Sequence, residues 1–275
     1  MTARRRRIEW AVRIVILTLL AYALVEPFLL RVREVTIADE DLPADFDGLR
    51  IAFLADFHCA WFFPPSRVAG VVRRANDIRP DLVILGGDYV NTGTKYVAPC
   101  FAELAKLRAP LGVYAVMGNH DHWGAAQAVR EAMRESGFTL LENSGAWVER
   151  GPGRIRLGGV ADLWEGVPRL GPMLHGVSEG DFALLVSHHP DYAEELRTDL
   201  VDVTLAAHMH GGQVTLFGLW APILPSDYGQ KYRSGTVAAP RTTVVLTNGV
   251  GGAPIRFCAR PEIVLVTLRR RELSQ

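Results

Sequence analysis

The chain reads as an α/β protein built from two packed mixed sheets with helices outside them. Three features predict this. In the first half, short apolar runs alternate with helix-length amphipathic segments. From Thr139 onward the pattern changes to short strand-like runs separated by glycine-rich turns. Five of the apolar runs end in Asp, Asn or His, as expected where α/β sheets bind ligands at strand carboxyl ends. With 275 residues, 49% of them apolar, the chain can bury a core for one catalytic domain plus an appendage. Its formal net charge of zero gives no reason to expect a nucleic-acid partner.

Residues 1–33 form the expected appendage. Arg4, Arg5, Arg6 and Arg7 precede an apolar stretch, 8–30, interrupted by Glu9, Arg13, Glu26 and Pro27. Twenty-three helical residues span about 35 Å, enough for a bilayer core. A transmembrane anchor, an interfacial helix and an uncleaved signal all fit, and the arginines also permit a degenerate twin-arginine signal. The anchor is favoured, which implies a membrane protein, single-pass or peripheral. The positive-inside bias puts Arg4 to Arg7 in the cytoplasm, although Arg31 and Arg33 beyond the helix weaken that inference. Residues 34–47 read as a linker, and 48–275 as the catalytic domain.

Within that domain, helices are expected over 66–78, 98–107, 124–136 and 191–198. Strands are expected over 146–149, 154–159, 182–186, 244–246 and 262–268. No solenoid repeat occurs. The three cysteines, Cys59, Cys100 and Cys258, have neither zinc-finger spacing nor the even number of a disulfide framework, and read as free thiols.

The chemistry sits at the five run ends. Residues 49–54 lead into Asp56 and His58; 81–85 into Gly87 and Asp88; 112–117 into Gly118, Asn119, His120 and Asp121; 182–186 into His188 and His189; 203–207 into His208 and His210. Seven of the eight histidines lie in or directly after these ends, and only His175 falls elsewhere. Chance satisfaction of buried polar groups would not sort histidines this way. In an extended chain His208 and His210 would point to the same side, so both rings could face one point.

These residues, as D-x-H, G-D, G-N-H-D, H and A-H-x-H in order, resemble the calcineurin-like metallophosphoesterases over about residues 48–268, with Ala207 where that family usually has Gly. Gly211-Gly212-Gln213, Gly249-Val250-Gly251, Pro254 to Phe257 and Pro261 to Ile263 resemble a membrane-anchored bacterial subgroup that includes one type of UDP-2,3-diacylglucosamine hydrolase. The resemblance implies a four-layer α-β-β-α sandwich. It also implies two divalent ions, one held by Asp56, His58, Asp88 and His210, the other by Asp88, Asn119, His188 and His208, with Asp88 bridging. His120 would be the catalytic acid, oriented by Asp121, for which a helix cap is the plain alternative. Imidazole-rich ligands suit manganese, iron or zinc, with manganese favoured. Such ion pairs, typically about 3.5–4 Å apart, generate a hydroxide at neutral pH and stabilise an in-line displacement.

The implied activity is hydrolysis of a phosphodiester or pyrophosphate, with a generic membrane-associated phosphodiesterase as the broader alternative. A non-catalytic binding module would have lost ligands, and none is lost. The apolar stretch 216–225 reads either as a loop folded back on the core or as a lip beside the metals for an amphiphilic substrate, with 61–65 as the opposite lip. Arg233 and Arg256 are the first candidates for phosphate or nucleotide contacts, with a plain surface role as the alternative. His189 reads as support for the ligands or as a cap. Asp162 reads as a rim or turn carboxylate, and His122 and His175 carry no assignment.

Overall fold

A computed structural model describes residues 3–272. Helix α1 (Ala3–Val25) precedes a short turn, Glu26–Phe28, and strand β1 (Arg31–Asp39). The order continues β2 (Arg50–Leu54), α2 (Pro65–Asp77), β3 (Leu82–Leu85), α3 (Val97–Leu104), β4 (Val113–Ala115), α4 (Asn119–His122), α5 (Ala126–Glu135) and β5 (Thr139–Leu140). The second half runs β6 (Ser144–Arg150), β7 (Gly153–Gly159), α6 (Gly171–Leu174), β8 (Ala183–Ser187), α7 (Tyr192–Glu195), β9 (Val203–Ala206), β10 (Gly235–Ala238), β11 (Thr243–Leu246) and β12 (Glu262–Arg270).

The strands form two six-stranded mixed sheets, ordered β1-β12-β2-β3-β4-β5 and β10-β11-β9-β8-β7-β6. The two-residue period of a strand assigns each side chain to a layer. Ile51 and Phe53 of β2 meet Leu184 and Val186 of β8 between the sheets. Ala52 and Leu54 face outward with Val68, Val72 and Phe101 of the helices, and Ala183 and Leu185 face outward beside Met173 and Tyr192. This is the expected four-layer arrangement, with helices outside both sheets.

The expected helices 66–78, 98–107 and 124–136 are found with shifted ends. The 191–198 segment keeps only a single turn, Tyr192–Glu195. Residues 34–47, read as a linker, contain the second half of β1, which pairs in parallel with β12 from Arg31 opposite Glu262 to Asp39 opposite Arg270. They also bury Leu42 and Phe46. Helix α1 starts earlier than expected and stops at Val25, because Pro27 cannot supply the amide a continuing helix needs. Nearly all of it is exposed, with a mean hydropathy of 2.0 over its most apolar 18 residues.

Candidate metal centre

Strands β2, β3, β8 and β9 stop at the same end of the sandwich, and the chain then turns sharply. Asp56, His58, Asp88, His208 and His210 all take left-handed backbone conformations, with φ between 47° and 67°. For residues with a Cβ that conformation costs about 1–2 kcal/mol each, and it persists where surrounding structure imposes it. The turns themselves are pinned. The Asp56 amide donates to the Gly87 carbonyl at 3.0 Å, and the His58 amide to the Asp88 carbonyl at 3.0 Å.

These turns overturn one sequence argument. β9 ends at Ala206, so His208 and His210 are not on an extended strand. Instead of sharing one point, they separate. Asp56, His58, Asp88 and His210 form one group of mutually close ligand atoms; Asp88, His188 and His208 form a second. Asp88 belongs to both. Its Oδ2 lies 3.4 Å from His58 Nε2 and 3.4 Å from His188 Nε2. His58 Nε2 and His210 Nε2 are 3.1 Å apart, and His208 Nδ1 and His188 Nε2 are 3.2 Å apart. Each pair of ring nitrogens converges on the same small volume.

The donor set suits divalent cations. Asp56 Oδ2, Asp88 Oδ2 and Asn119 Oδ1 are buried acceptors with no hydrogen-bond partner. A native interior rarely leaves such atoms orphaned, and a cation would satisfy all three. Gly118 keeps the cradle open. A Cβ there would sit 2.2 Å from Asp88 Oδ1 and 2.7 Å from His188 Cε1. Gly87 does the same for the next turn: at φ +97°, its Cβ would meet the Gly118 amide nitrogen at 2.4 Å.

Burial sets the electrostatics. It lifts Asp56 to about 7 and, helped by Asp88, Asp121 to about 8. Burial also drives His58 down to about 3 and pushes His208 and His210 well below the usual imidazole range. Burial opposes the charge on His188 too, but adjacent Asp88 outweighs it and raises the ring to about 10. Asp88 likewise resists burial: His188 and His58 hold its carboxyl below the usual carboxylate range. Without cations, burial thus favours the protonated forms of Asp56 and Asp121, and Asp88 favours the cationic form of His188.

Around the site, His188 and His210 are fixed by their other nitrogens. His188 Nδ1 donates to the Gly86 carbonyl at 2.7 Å, and His210 Nδ1 to Gln213 Oε1 at 3.0 Å. His120 Nδ1 donates to the Asn91 carbonyl at 2.7 Å, leaving Nε2 as its free nitrogen. Asp121, expected to orient His120, is found elsewhere. Its carboxylate accepts the amides of Asp88 at 2.8 Å, Tyr89 at 2.8 Å and Gly118 at 3.0 Å. It therefore caps the start of α4 and holds the Asp88 turn, close to the plain helix-cap alternative. His189 supports His208, with ring centroids 4.5 Å apart, and bonds the Pro225 carbonyl. Asp162 is buried and caps a turn through Oδ1 at Trp164 and Glu165. His175 is exposed.

A cavity of about 610 Å³ opens onto the group. His58, His120, His208 and His210 form its floor, and Phe62, Met209, Ile223 and Pro254 are among its apolar walls. The stretches 61–65 and 216–225 thus both reach the mouth. Trp61, Leu219 and Ile223 are 76%, 80% and 81% exposed, while Phe63 and Ala221 of the same stretches are buried, so each loop is anchored in the core and presents apolar side chains at the mouth. Arg256 differs from expectation. It is fully buried, its guanidinium bonded to backbone carbonyls, and can read neither phosphate nor nucleotide. Arg233 leans on the Gly211 carbonyl, away from the cavity walls.

Residues 49–212 match the calcineurin-like phosphoesterase family. The chain is 32% identical over 253 residues to YkuE, an uncharacterized metallophosphoesterase of Bacillus subtilis, covering 89% of this chain and 87% of that protein. The chain belongs to the calcineurin-like phosphoesterase family. This metallophosphoesterase is also 30% identical over 225 residues to the phosphodiesterase YaeI of Escherichia coli, covering 80% of this chain and 82% of that one. It is 28% identical to a Danio rerio transmembrane protein with a metallophosphoesterase domain, over 87% of this chain and 57% of that protein. It is a phosphoester hydrolase, and the buried ligand cluster is its candidate divalent metal centre.

Proposed function

We propose that this metallophosphoesterase is a binuclear, metal-dependent phosphodiesterase acting on an amphiphilic substrate at a membrane surface. The observation that carries the reading is Asp88, shared by both ligand groups and facing His58 and His188 at equal distance. Asp56, His58, Asp88 and His210 would hold one ion, and Asp88, Asn119, His188 and His208 the other, with manganese as first choice. The ions would supply a nucleophile at neutral pH and charge stabilisation for in-line displacement at phosphorus. His120, anchored through Nδ1, would pass a proton to the leaving oxygen from Nε2. Asp121 would act on Asp88 rather than on His120.

The apolar walls of the cavity and the exposed side chains at its mouth support an amphiphilic substrate. Helix α1 supports the membrane, with its long apolar surface left uncovered. Arg31 and Arg33, which had blurred the charge asymmetry, pair with buried Glu262 at 2.7 and 2.9 Å. By count the four residues Arg4 to Arg7 outweigh Arg31 and Arg33 and favour a catalytic domain on the outer face of the bacterial inner membrane. The proposed boundary between membrane segment and catalytic domain lies near Glu26, since β1 is a sheet strand.

UDP-2,3-diacylglucosamine, cleaved at its pyrophosphate to UMP and a lipid monophosphate, is the specific candidate that the subgroup resemblance supplies. The apolar cavity favours it. The burial of Arg256 and an outward-facing domain count against it, because lipid A precursors are processed at the cytoplasmic face. The test is a screen of manganese-, iron- and zinc-loaded protein on that lipid, other lipid-linked phosphodiesters and soluble aryl phosphodiesters. Hydrolysis of amphiphilic diesters well above the soluble ones is expected. No release of UMP would remove the lipid A assignment; a preference for soluble diesters would remove the amphiphilic one. His120→Ala should slow hydrolysis about 10²–10⁴-fold for basic leaving groups and much less for nitrophenolate, at unchanged metal content. A uniform loss would assign His120 to phosphate positioning alone.

A further inference from the structure

We infer that Glu26, where the apolar helix ends, is a positioning residue for the metal centre, making the docked end of α1 part of the site's scaffold. The inference rests on the metal-centre reading above. Glu26 is fully buried. Its carboxylate accepts the amide of Cys258 at 2.6 Å and that of Ala259 at 2.8 Å. The Arg256 amide donates to the Ala23 carbonyl at 3.1 Å. The turn 256–259 is therefore held at three successive points by the last residues of α1 and the turn after it.

From that turn the Arg256 side chain runs inward. Its guanidinium donates to the carbonyls of Ala259 at 2.6 Å, Asn248 at 2.8 Å, Gly251 at 2.8 Å and His210 at 3.3 Å. The Gly251 amide in turn donates to the Asp56 carbonyl at 2.8 Å. One buried cation thus ties the backbone carrying His210 to the backbone carrying Asp56, two ligands of the same group. A buried guanidinium is costly unless every donor is satisfied and negative charge lies near. Among the described residues Arg256 makes no ion pair, and Glu26 is one of the carboxylates whose field favours its charge.

Helix stability does not account for Glu26. An acidic side chain at a helix carboxyl end opposes the helix dipole, and burying it adds a desolvation cost. Only the turn it caps repays both. The chain of contacts runs from α1 through Glu26 to turn 256–259, then through Arg256 to His210 and Asp56.

The test uses the full-length protein and Mn²⁺ alone, with free Mn²⁺ followed by its EPR signal and melting temperature measured in parallel. Glu26→Ala and Glu26→Gln should weaken Mn²⁺ binding about 10–100-fold, as loss of supporting contacts around ligands commonly does. Glu26→Asp, which keeps both acceptor oxygens, should recover most of it. Should the Ala variant fail to fold, the Gln and Asp variants carry the comparison. Arg67→Ala is the control. Arg67 donates to the Pro27 carbonyl and lies 4.4 Å from the Phe28 ring, so its loss loosens the same helix end without touching the turn. It should lower the melting temperature and leave Mn²⁺ affinity in place. Unchanged affinity in the Glu26 variants, or an equal loss in Arg67→Ala, would overturn the inference and leave Glu26 a structural tether. A wild-type protein that binds no Mn²⁺ would overturn the metal-centre reading, and this inference with it.

Discussion

Among the described residues two clusters bring at least three potential ligands together, and one of them is built as a site. At the sheet ends, Asp88 joins two groups of buried ligands. On the far side of the fold, Asp39, Asp41 and Asp202 also lie close to one another. The acidic trio is only half buried and takes ordinary backbone conformations. Its oxygens are partly spent on the chain itself: Asp39 accepts the Asp41 amide at 2.9 Å and Asp202 the Ala183 amide at 2.7 Å. The candidate metal centre instead combines strained turns, orphaned acceptors, a glycine cradle and two imidazoles, His188 and His210, locked by their second nitrogens. Proximity of carboxylates is cheap near a surface. Holding several buried, unpaired donors against one another is not, and that cost distinguishes a centre from a cluster.

The widest separation between the two should come from removing one charge in each. Asp88→Asn should abolish turnover and lower bound metal below that of wild type, because both ligand groups lose their common carboxylate. Asp202→Asn should leave metal content and activity unchanged. Metal analysis of the purified variants beside a diesterase assay decides it. Two tightly bound ions and full activity in Asp88→Asn would break the bridging assignment; metal loss in Asp202→Asn would erase the distinction between the clusters.

The centre was legible in the sequence, because apolar strands cannot end in polar ligands five times without a reason. The periodicity that marks a strand also marks where it stops. What it does not encode is the conformation after the stop. His208 and His210 have the i, i+2 spacing of an extended chain, yet both are left-handed, and the rings separate into different groups. Asp121 was invisible as a brace for Asp88, since 32 residues lie between them and the parallel pairing of β3 with β4 brings their turns together. Arg256 looked like a free cation because a sequence does not list the carbonyls that will surround it. Glu26 looked like a blemish in an apolar helix, and its partners lie more than 230 residues away. Local pattern gave most of the strands, most of the helices and the candidate ligands; β1, read as anchor and linker, and the contacts above needed long-range hydrogen bonding.

A second pair of substitutions tests the cradle directly. Gly118→Ala would force a methyl group onto Asp88 Oδ1, so metal affinity should fall about 10–100-fold. Gly180, on the acidic cleft, has φ +87° and open space around it, so Gly180→Ala should cost about 1 kcal/mol of backbone strain and nothing in metal binding. Thermal melts with and without metal separate the two outcomes. Equal metal affinity in wild type and Gly118→Ala would mean that the Asp88 turn yields freely and the cradle is not rigid.

The smallest effect is in pH dependence, and its sign follows from the buried groups. His188, raised to about 10, gives stability that is complete below the ordinary imidazole value and is lost as pH rises through its folded value. Asp56, raised to about 7, and Asp121, raised to about 8, lose their protonated-state contribution in the same direction. His58, His208 and His210 are depressed, so their contribution is present above the ordinary imidazole value and falls only as pH drops below it. Above about pH 6.5 the slopes therefore agree. Metal-free protein in EDTA should melt progressively lower from pH 6.5 to 8.5. Saturating Mn²⁺ replaces the protons of the centre and should remove most of that slope. Asp202, lifted by burial to about 7 in the acidic cluster, has no metal to replace its proton and should supply what remains. Asp202→Asn measured with Mn²⁺ should then be nearly flat over the same window. If the slope in EDTA is absent, or persists unchanged with metal, the protons do not stand in for cations at Asp56 and His188.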